Sequence, residues 1–316
     1  MVMRIGMSAD LRPDGSVHAA TFHHAVAYMV QLVGQRAGGP ELLVVGDDAN
    51  PHSARLAAAE LVQRGVAIVI GHFASSAARA ACAIYKRSGV LALLPAATDS
   101  SLVDDYENAY QLCPDNRKQV SLIATFLKNR GLRRVRILRD PRHAEDGLYS
   151  DLRTAIVNTG STIAAELGGE HDATVFVGHY DAALDFLRSD FDAGCVVFTD
   201  DTLHSGLVAA TGRHHERLYV CGFDDHRENS STTEVRAWAE RRQGNVSATY
   251  FLETAAACDL AVRWCEDGGH RELNGVAWRT CLGTVIFQNN RNTAAEFRMW
   301  CVTRHGMEKI DEERRT

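Results

Sequence analysis

Short apolar runs alternate with amphipathic stretches from residue 4 to residue 222, and this alternation predicts strands and helices in turn. Arg4–Asp10 reads as a strand and His18–Gln35 as a helix with one apolar face. Glu41–Asp47, Val66–Gly71 and Val90–Pro95 are further strands, separated by helices at Pro51–Arg64 and Ser75–Ser88. A non-periodic link, Asp99–Asp115, interrupts the order. It resumes with helix Asn116–Arg130, strand Arg134–Asp140, helix Glu145–Asn158, strand Ala173–His179, helix Asp181–Asp190, and strands Cys195–Thr199 and Leu218–Gly222. Strands that are short and continuously apolar, with helices between them, belong in parallel sheets covered on both faces, with right-handed crossovers. From Glu234 the pattern turns helical, at Val235–Arg242, Val246–Asp267 and Val276–Leu282. Two strands follow, Thr284–Phe287 and Glu296–Val302, and then a charged tail, Glu308–Thr316, that reads as a solvated end.

At 316 residues the chain suits two α/β lobes, and its 46% apolar and 23% charged residues fit a globular protein with sizeable cores. The formal net charge of -6 and the scattered Lys and Arg residues argue against a nucleic-acid surface. Apolar runs such as Val66–Ile70 and Val90–Leu94 are far too short to span a membrane. The eight cysteines show no Cys-x-x-Cys pair, and most lie in apolar segments, which predicts buried free thiols in a reducing compartment. Met1–Met7 enters the first strand without the features of a signal peptide, so the sequence points to the cytoplasm, or to a periplasmic or lipid-anchored protein whose leader was trimmed.

Two segments carry candidate chemistry. In Ile68-Val-Ile-Gly-His-Phe-Ala-Ser-Ser-Ala-Ala-Arg79 a buried strand ends at Gly71, and Ser75 and Ser76 open a helix. Backbone N–H groups at a helix start, with serine hydroxyls beside them, suit a carboxylate or phosphate. The next strand ends in Pro95-Ala-Ala-Thr-Asp99, bringing Ala96 and Thr98 to the same carboxyl edge, where open α/β sheets bind ligands. In the other half, Val177-Gly-His-Tyr180 and Phe198-Thr-Asp-Asp201 also follow strands. A carboxylate there suits an ammonium group, and Tyr180 suits a cavity wall. The plainer alternative is that Ser75, Asp200 or Asp201 caps a helix and Thr98 is a loop residue.

The order Gly46-Asp-Asp-Ala49, Val69-Ile-Gly-His-Phe-x-Ser75-Ser, Ile84-Tyr85, Leu94-Pro-Ala-Ala-Thr98-Asp, and then Ile137-Leu-Arg-Asp140, Gly147-Leu, Val177-Gly-His-Tyr180 and Phe198-Thr-Asp200 resembles the leucine/isoleucine/valine-binding proteins of the type I periplasmic binding fold. The late helix Phe251–Arg263 and the closing strand Phe297–Val302 extend the resemblance over nearly the whole chain. It implies an α/β fold of two Rossmann-like lobes with parallel central sheets joined by a multi-strand hinge. Residues 1–115 and 228–285 would form a carboxylate-anchoring lobe, and residues 116–227 and 286–316 a closing lobe. It also implies that Ser75, Ala96 and Thr98 hold an amino acid's α-carboxylate and part of its α-amino group, that Asp200 pairs with the ammonium, and that Tyr180 lines the pocket; Ser76, Phe73 and His18 are further ligand-binding candidates. There are departures. Ala144 stands where the family has a tyrosine, and His18 replaces an aromatic near the first turn, so the pocket is expected to be wider and more polar than one for leucine. Asn50 and Ala74 occupy the positions of a disulfide common in exported members, which again favours the cytoplasm.

Fourteen histidines, among them His23-His24, His214-His215 and Asp224-Asp225-His226, raise the question of metal. Adjacent helical residues point about 100° apart and do not chelate together, so neither metal nor cofactor is expected. The sequence holds no Walker loop, Gly-x-Ser-x-Gly elbow or dinucleotide fingerprint after a strand. The leading expectation is a binding protein whose lobes close on a small amino-acid-like ligand and whose state is passed to a regulatory protein partner, a cytoplasmic sensor. A transport receptor is one alternative. Another is an enzyme recruited to an amino-acid-derived substrate, with Asp200, Asp201, His204 and His179 as its candidate acid–base groups.

Overall fold

The computed structural model describes residues 2–310 apart from 14, 16, 141–146, 166–168, 190–193, 212–216, 225–229 and 244–249; the side chains of residues 230 and 243 also fall outside the description. Ala144, His214, His215, Asp225 and His226 therefore lie outside the described residues, as does the tail beyond residue 310. The chain divides into two compact units, Met1–Asp115 with Asp225–Ala295, and Asn116–Asp224 with Glu296–Thr316.

The first unit begins with β1 (Arg4–Ser8), α1 (Val17–Gly34), β2 (Glu41–Val44), α2 (Pro51–Gln63), β3 (Ile68–Gly71), α3 (Ser75–Ser88), β4 (Leu91–Leu94), α4 (Leu102–Asp105) and β5 (Ala109–Gln111). The second unit contributes α5 (Asn116–Asn129), β6 (Arg134–Arg139), α6 (Leu148–Asn158), β7 (Thr162–Ile163), β8 (Ala173–Val177), α7 (Tyr180–Arg188), β9 (Cys195–Phe198), α8 (Gly206–Ala210) and β10 (Leu218–Phe223). The chain returns to the first unit for α9 (Ser230–Gln243), α10 (Phe251–Glu266), β11 (Ala277–Thr280), β12 (Gly283–Gln288) and β13 (Arg291–Asn292). It then closes the second unit with β14 (Phe297–Thr303) and β15 (Gly306–Lys309).

The first sheet has the order β11-β12-β13-β5-β4-β3-β1-β2, and β1 to β5 run parallel. The second has the order β15-β14-β10-β9-β8-β6-β7, parallel from β7 to β10, with β14 and β15 antiparallel at one edge. Strand alternation sends side chains to opposite faces of the first sheet. Ile5, Met7, Ile68, Ile70 and Leu93 pack against Phe22 and Met29 of α1 and Leu252, Ala256 and Leu260 of α10. Val69, Ala92 and Leu94 pack the other way, against Ala54, Ala58 and Leu61 of α2 and Ala77, Ala81 and Tyr85 of α3. Small alanines at those helix positions let α2 and α3 approach the sheet closely. Asn50 starts α2 by accepting the N–H groups of His52 and Ser53, ahead of Pro51 in the first turn.

Several expected boundaries change. The link Asp99–Asp115 contains α4 and β5, and β5 is a strand of the first sheet, short enough that no period could show. Val276–Leu282, expected as helix, holds β11; its exposed–buried alternation, with Trp278 and Thr280 inward, is a strand period. Met307 to Lys309, counted partly with the solvated tail, pair with β14. Residues 286–295 belong with the first unit because β12 and β13 extend its sheet, so the last division falls at 295/296 rather than 285/286. The earlier one falls at 224/225 rather than 227/228. Asp224, its side chain fully buried, is paired there with Arg298 (2.6 Å) and Lys309 (3.3 Å), which ties β10 to β14 and β15.

The turn after β3 is the most constrained in the first unit. Gly71 has φ +143°, and a Cβ on it would stand 1.9 Å from the Ser8 carbonyl oxygen. His72 follows at φ +50° and is fully buried. Its Nδ1 lies 2.7 Å from Asp47 Oδ2 and its Nε2 lies 2.9 Å from the Tyr85 hydroxyl. Burial pushes the Tyr85 phenol well above its usual range, so it stays a donor. The consistent arrangement is Tyr85 O–H to Nε2 and Nδ1–H to the Asp47 carboxylate. Loop after β2, turn after β3 and the body of α3 are thereby tied through one imidazole.

Gly71→Ala is expected to cost at least about 3 kcal/mol in chemical denaturation, since the backbone must shift to admit the methyl group. Tyr85→Phe keeps the ring and strands His72 Nε2, at about 1–3 kcal/mol. All eight cysteines are free, six buried and two half-buried. Burial pushes the thiols of Cys82, Cys195 and Cys265 up to about 12, and those of Cys221, Cys258 and Cys281 higher still. Thiolate is then scarce at pH 8, and these six should label slowly with a thiol reagent until the protein is denatured. Fast labelling of native Cys82 or Cys258 would contradict the packing of the first unit's core.

Candidate functional site

Each parallel sheet reverses its strand order at one place, and the loops at its carboxyl edge there are the natural ligand sites. In the first sheet the switch lies between β1 and β3, and in the second between β6 and β8. The predicted residues cluster around these two places, one group in each unit.

In the first unit, the turn of Gly71 and His72 delivers Phe73, Ser75 and Ser76. Ala74 is the N-cap of α3 and supplies no side-chain bond, so Ser75 is the first helical residue and not the cap that the plainer alternative assigned to it. The Ser75 hydroxyl oxygen accepts the Asp99 N–H at 3.4 Å, which leaves its proton free to donate elsewhere. Ser75 is half-buried and Ser76 exposed; on the neighbouring β4 loop Ala96 is buried and Thr98 half-buried. That loop is pinned by Arg79, which donates to Asp99 (2.7 Å), Asp105 (2.6 Å) and the Ser101 hydroxyl. Burial works against charge on Asp99, yet the bonds from Ser101 and Arg79 outweigh it and hold the carboxyl below its ordinary range. The result is an edge rich in donors: the opening N–H groups of α3, the Ser75 and Ser76 hydroxyls, and Thr98.

Rings flank this edge. His18, in the first turn of α1, is buried with its ring 4.7 Å from that of Tyr250. Tyr250 in turn lies 5.8 Å from Phe73, and Phe73 lies 5.3 Å edge-on from Phe22. Sequence reasoning named His18 and Phe73 but missed Tyr250, which sits at φ +66° just before α10. No local motif marks it, because its partners lie more than 170 positions earlier in the chain.

In the second unit, each candidate acid–base group is engaged by a neighbouring side chain or backbone N–H. His179 Nδ1 lies 2.9 Å from the buried Asp140 Oδ2, a bridge across the β6/β8 switch. Asp201 Oδ2 accepts the Tyr180 N–H at 3.2 Å, so it caps α7, which follows the neighbouring strand. Asp200, buried at the end of β9, takes a 2.7 Å bond from Gln119 Nε2 of α5. His204 Nδ1 accepts the Gly206 N–H at 3.0 Å, and its ring lies 4.7 Å from that of Tyr180. Gly206 makes room for the Tyr180 hydroxyl, which a Cβ there would meet at 2.4 Å. Burial raises the Tyr180 phenol, keeping it neutral. Gln119, the direct partner of Asp200, was not singled out from sequence; it lies some 80 residues away and carries no motif.

Among the described residues no group of three or more His, Cys, Asp and Glu side chains is placed to hold a metal, and no helix is long and apolar enough to cross a membrane. His23 reaches the Leu11 carbonyl at 3.1 Å while its neighbour His24 is buried against Phe251.

No protein-family model and no curated protein matches the sequence. Solved structures do resemble it. A leucine-binding protein from Thermotoga maritima is 16% identical with a TM-score of 0.83, over 98% of both chains. A substrate-binding protein of a branched-chain amino acid transporter from Streptococcus pneumoniae, in complex with isoleucine, is 14% identical with a TM-score of 0.81, over 98% of this chain and 99% of that one. A solute-binding protein of an ABC transporter from R. palustris, in complex with 4-hydroxybenzoate, is 13% identical with a TM-score of 0.82, over 98% of this chain and 96% of that one. With two parallel-dominated sheets in this strand order, and this likeness along nearly its whole length, the chain has the type I periplasmic binding protein fold.

Proposed function

We propose that the protein binds a small amino-acid-like carboxylate and acts as a binding protein or sensor, not as a catalyst. The observation that carries this is the donor edge of the first unit. The Ser75 hydroxyl is oriented by Asp99, lies beside the opening N–H groups of the 14-residue helix α3, and is positioned by the buried His72 link. A carboxylate is the matching partner, because two oxygens satisfy several donors and the helix start favours negative charge. The rings of His18, Phe73 and Tyr250 supply an apolar flank for the body of such a molecule. The bound isoleucine and 4-hydroxybenzoate of two similar structures are both small carboxylates, which supports the same chemistry here. On the second unit Asp201 is committed to capping α7, which supports a binding role for that loop over proton transfer by Asp201. Eight free thiols support a reducing compartment, and there a ligand-dependent state would be passed to a protein partner.

Isothermal titration with L-leucine, L-isoleucine, L-phenylalanine and 4-hydroxybenzoate is expected to give saturable binding of at least one of them. Ser75→Ala should weaken that ligand by about 1–3 kcal/mol, the range for a hydrogen bond to a charged group. An unchanged affinity would remove Ser75 from the site. Product appearing by mass spectrometry during the incubation would replace the binding role with an enzymatic one.

A further inference from the structure

The donor edge of the first unit rests on a buried amide behind it. Gln111 ends β5, pairs with Leu94 of β4 and is fully buried. Ala109, two residues earlier, packs with α2 and α3, and strand alternation sends the Gln111 side chain to that same face. Its Nε2 lies 2.7 Å from the Ala97 carbonyl oxygen and 3.4 Å from that of Asp99. Both neighbours are acceptors, so the amide turns its NH2 group toward them. Its Oε1 points the other way, buried and without a hydrogen-bond partner among the described residues. Half of this amide is in use, and the other half carries an unrelieved desolvation cost.

Peptide geometry gives the used half a consequence. Across a trans peptide, the C=O of one residue and the N–H of the next point in opposite directions, and the described residues include no cis bond. The Ala97 carbonyl is drawn inward to Gln111, so the Thr98 N–H is turned outward, and no described residue accepts it. One residue on, the Asp99 N–H is taken by the Ser75 hydroxyl, which fixes Thr98 beside the start of α3. Two further donors reach the same carbonyls: the Cys113 thiol to Ala97 at 3.4 Å, and the Leu102 N–H to Asp99 at 3.2 Å. A thiol is a weak donor, so the short bond from Gln111 sets the direction of the Ala97 peptide. Those two donors also keep both carbonyls served when Gln111 is replaced, so the fold does not hang on it. Resting on the carboxylate-binding role argued above, we propose that Gln111 is a positioning residue: without touching the ligand, it holds the Ala97 carbonyl and thereby aims the Thr98 N–H at the carboxylate. The unserved Oε1 fits this assignment, because only the donors are needed. An amide supplies two of them without burying a charge.

Pairs of an acid and its primary amide test this by isothermal titration: L-leucine and L-leucinamide, L-phenylalanine and L-phenylalaninamide, 4-hydroxybenzoate and 4-hydroxybenzamide. Wild type is expected to favour the acid in at least one pair. Gln111→Met, similar in length and without donors, should lose about tenfold or more for that acid and little for its amide. Its unfolding midpoint should move by no more than about 4 °C. A residue that only stabilised the fold would weaken acid and amide alike, in step with the midpoint. Equal losses on both members in Gln111→Met, or no loss, would therefore overturn the positioning role. If Ser75→Ala weakens the acid while Gln111→Met does not, the carboxylate site stands and Gln111 has no part in it. If wild type binds none of the acids, or binds acid and amide alike, the carboxylate reading itself fails and the role of Gln111 falls with it.

Discussion

The donor edge of the first unit depends on one buried imidazole. His72 stands where the backbone has just made a turn that only glycine permits at Gly71, and His72 itself is left-handed. Such a conformation persists only when its surroundings over-determine it. Asp47 and Tyr85 do so from opposite sides of the ring, at 2.7 and 2.9 Å, without solvent access to weaken either bond. The rotation of α3 and the location of Ser75 are consequences of that arrangement. The ligand-facing groups are few and partly exposed, while the group that aims them is wholly enclosed.

The two carboxyl edges carry different side chains on the same kind of sheet. In the first unit, hydroxyls and helix N–H groups dominate, and the acids present are spoken for: Asp47 by His72, Asp99 by Arg79, and Asp10 by Arg12 at 2.8 Å. In the second, the acids are engaged too, Asp200 by Gln119, Asp201 by the Tyr180 N–H and Asp140 by His179, so amide, backbone and imidazole take the place of the arginines. One topological device thus serves two chemistries, because the fold fixes only where loops emerge and the loop residues decide what they offer.

The parallel core was legible because its strands are continuous apolar runs, as at Ile68–Gly71 and Ala173–Val177, all of whose residues are buried. Ser75, Thr98, Tyr180 and Asp200 could be named because each follows such a run closely in sequence. What escaped were elements too short to have a period, such as β5 and β13, and contacts made over long separations. Tyr250 meets His18, and Gln119 meets Asp200, only after the sheets have formed. Helix β-strand confusion at Val276–Leu282 has a similar origin: Trp278 and Thr280 alternate correctly, but four residues carry too little pattern to tell the two apart.

Neither unit is a continuous stretch of chain. The first sheet lacks three of its eight strands until residues 277–292 have been made, and the second lacks two of its seven until residue 309. As the polypeptide leaves the ribosome, β5 and β10 are therefore each an open sheet edge for a long interval. For β5 that interval covers some 180 residues of synthesis, down to the strand that finally pairs with Gln111. During that time the growing chain exposes edges able to pair wrongly, and its native state is reached by late capture of distant segments rather than by sequential domain closure.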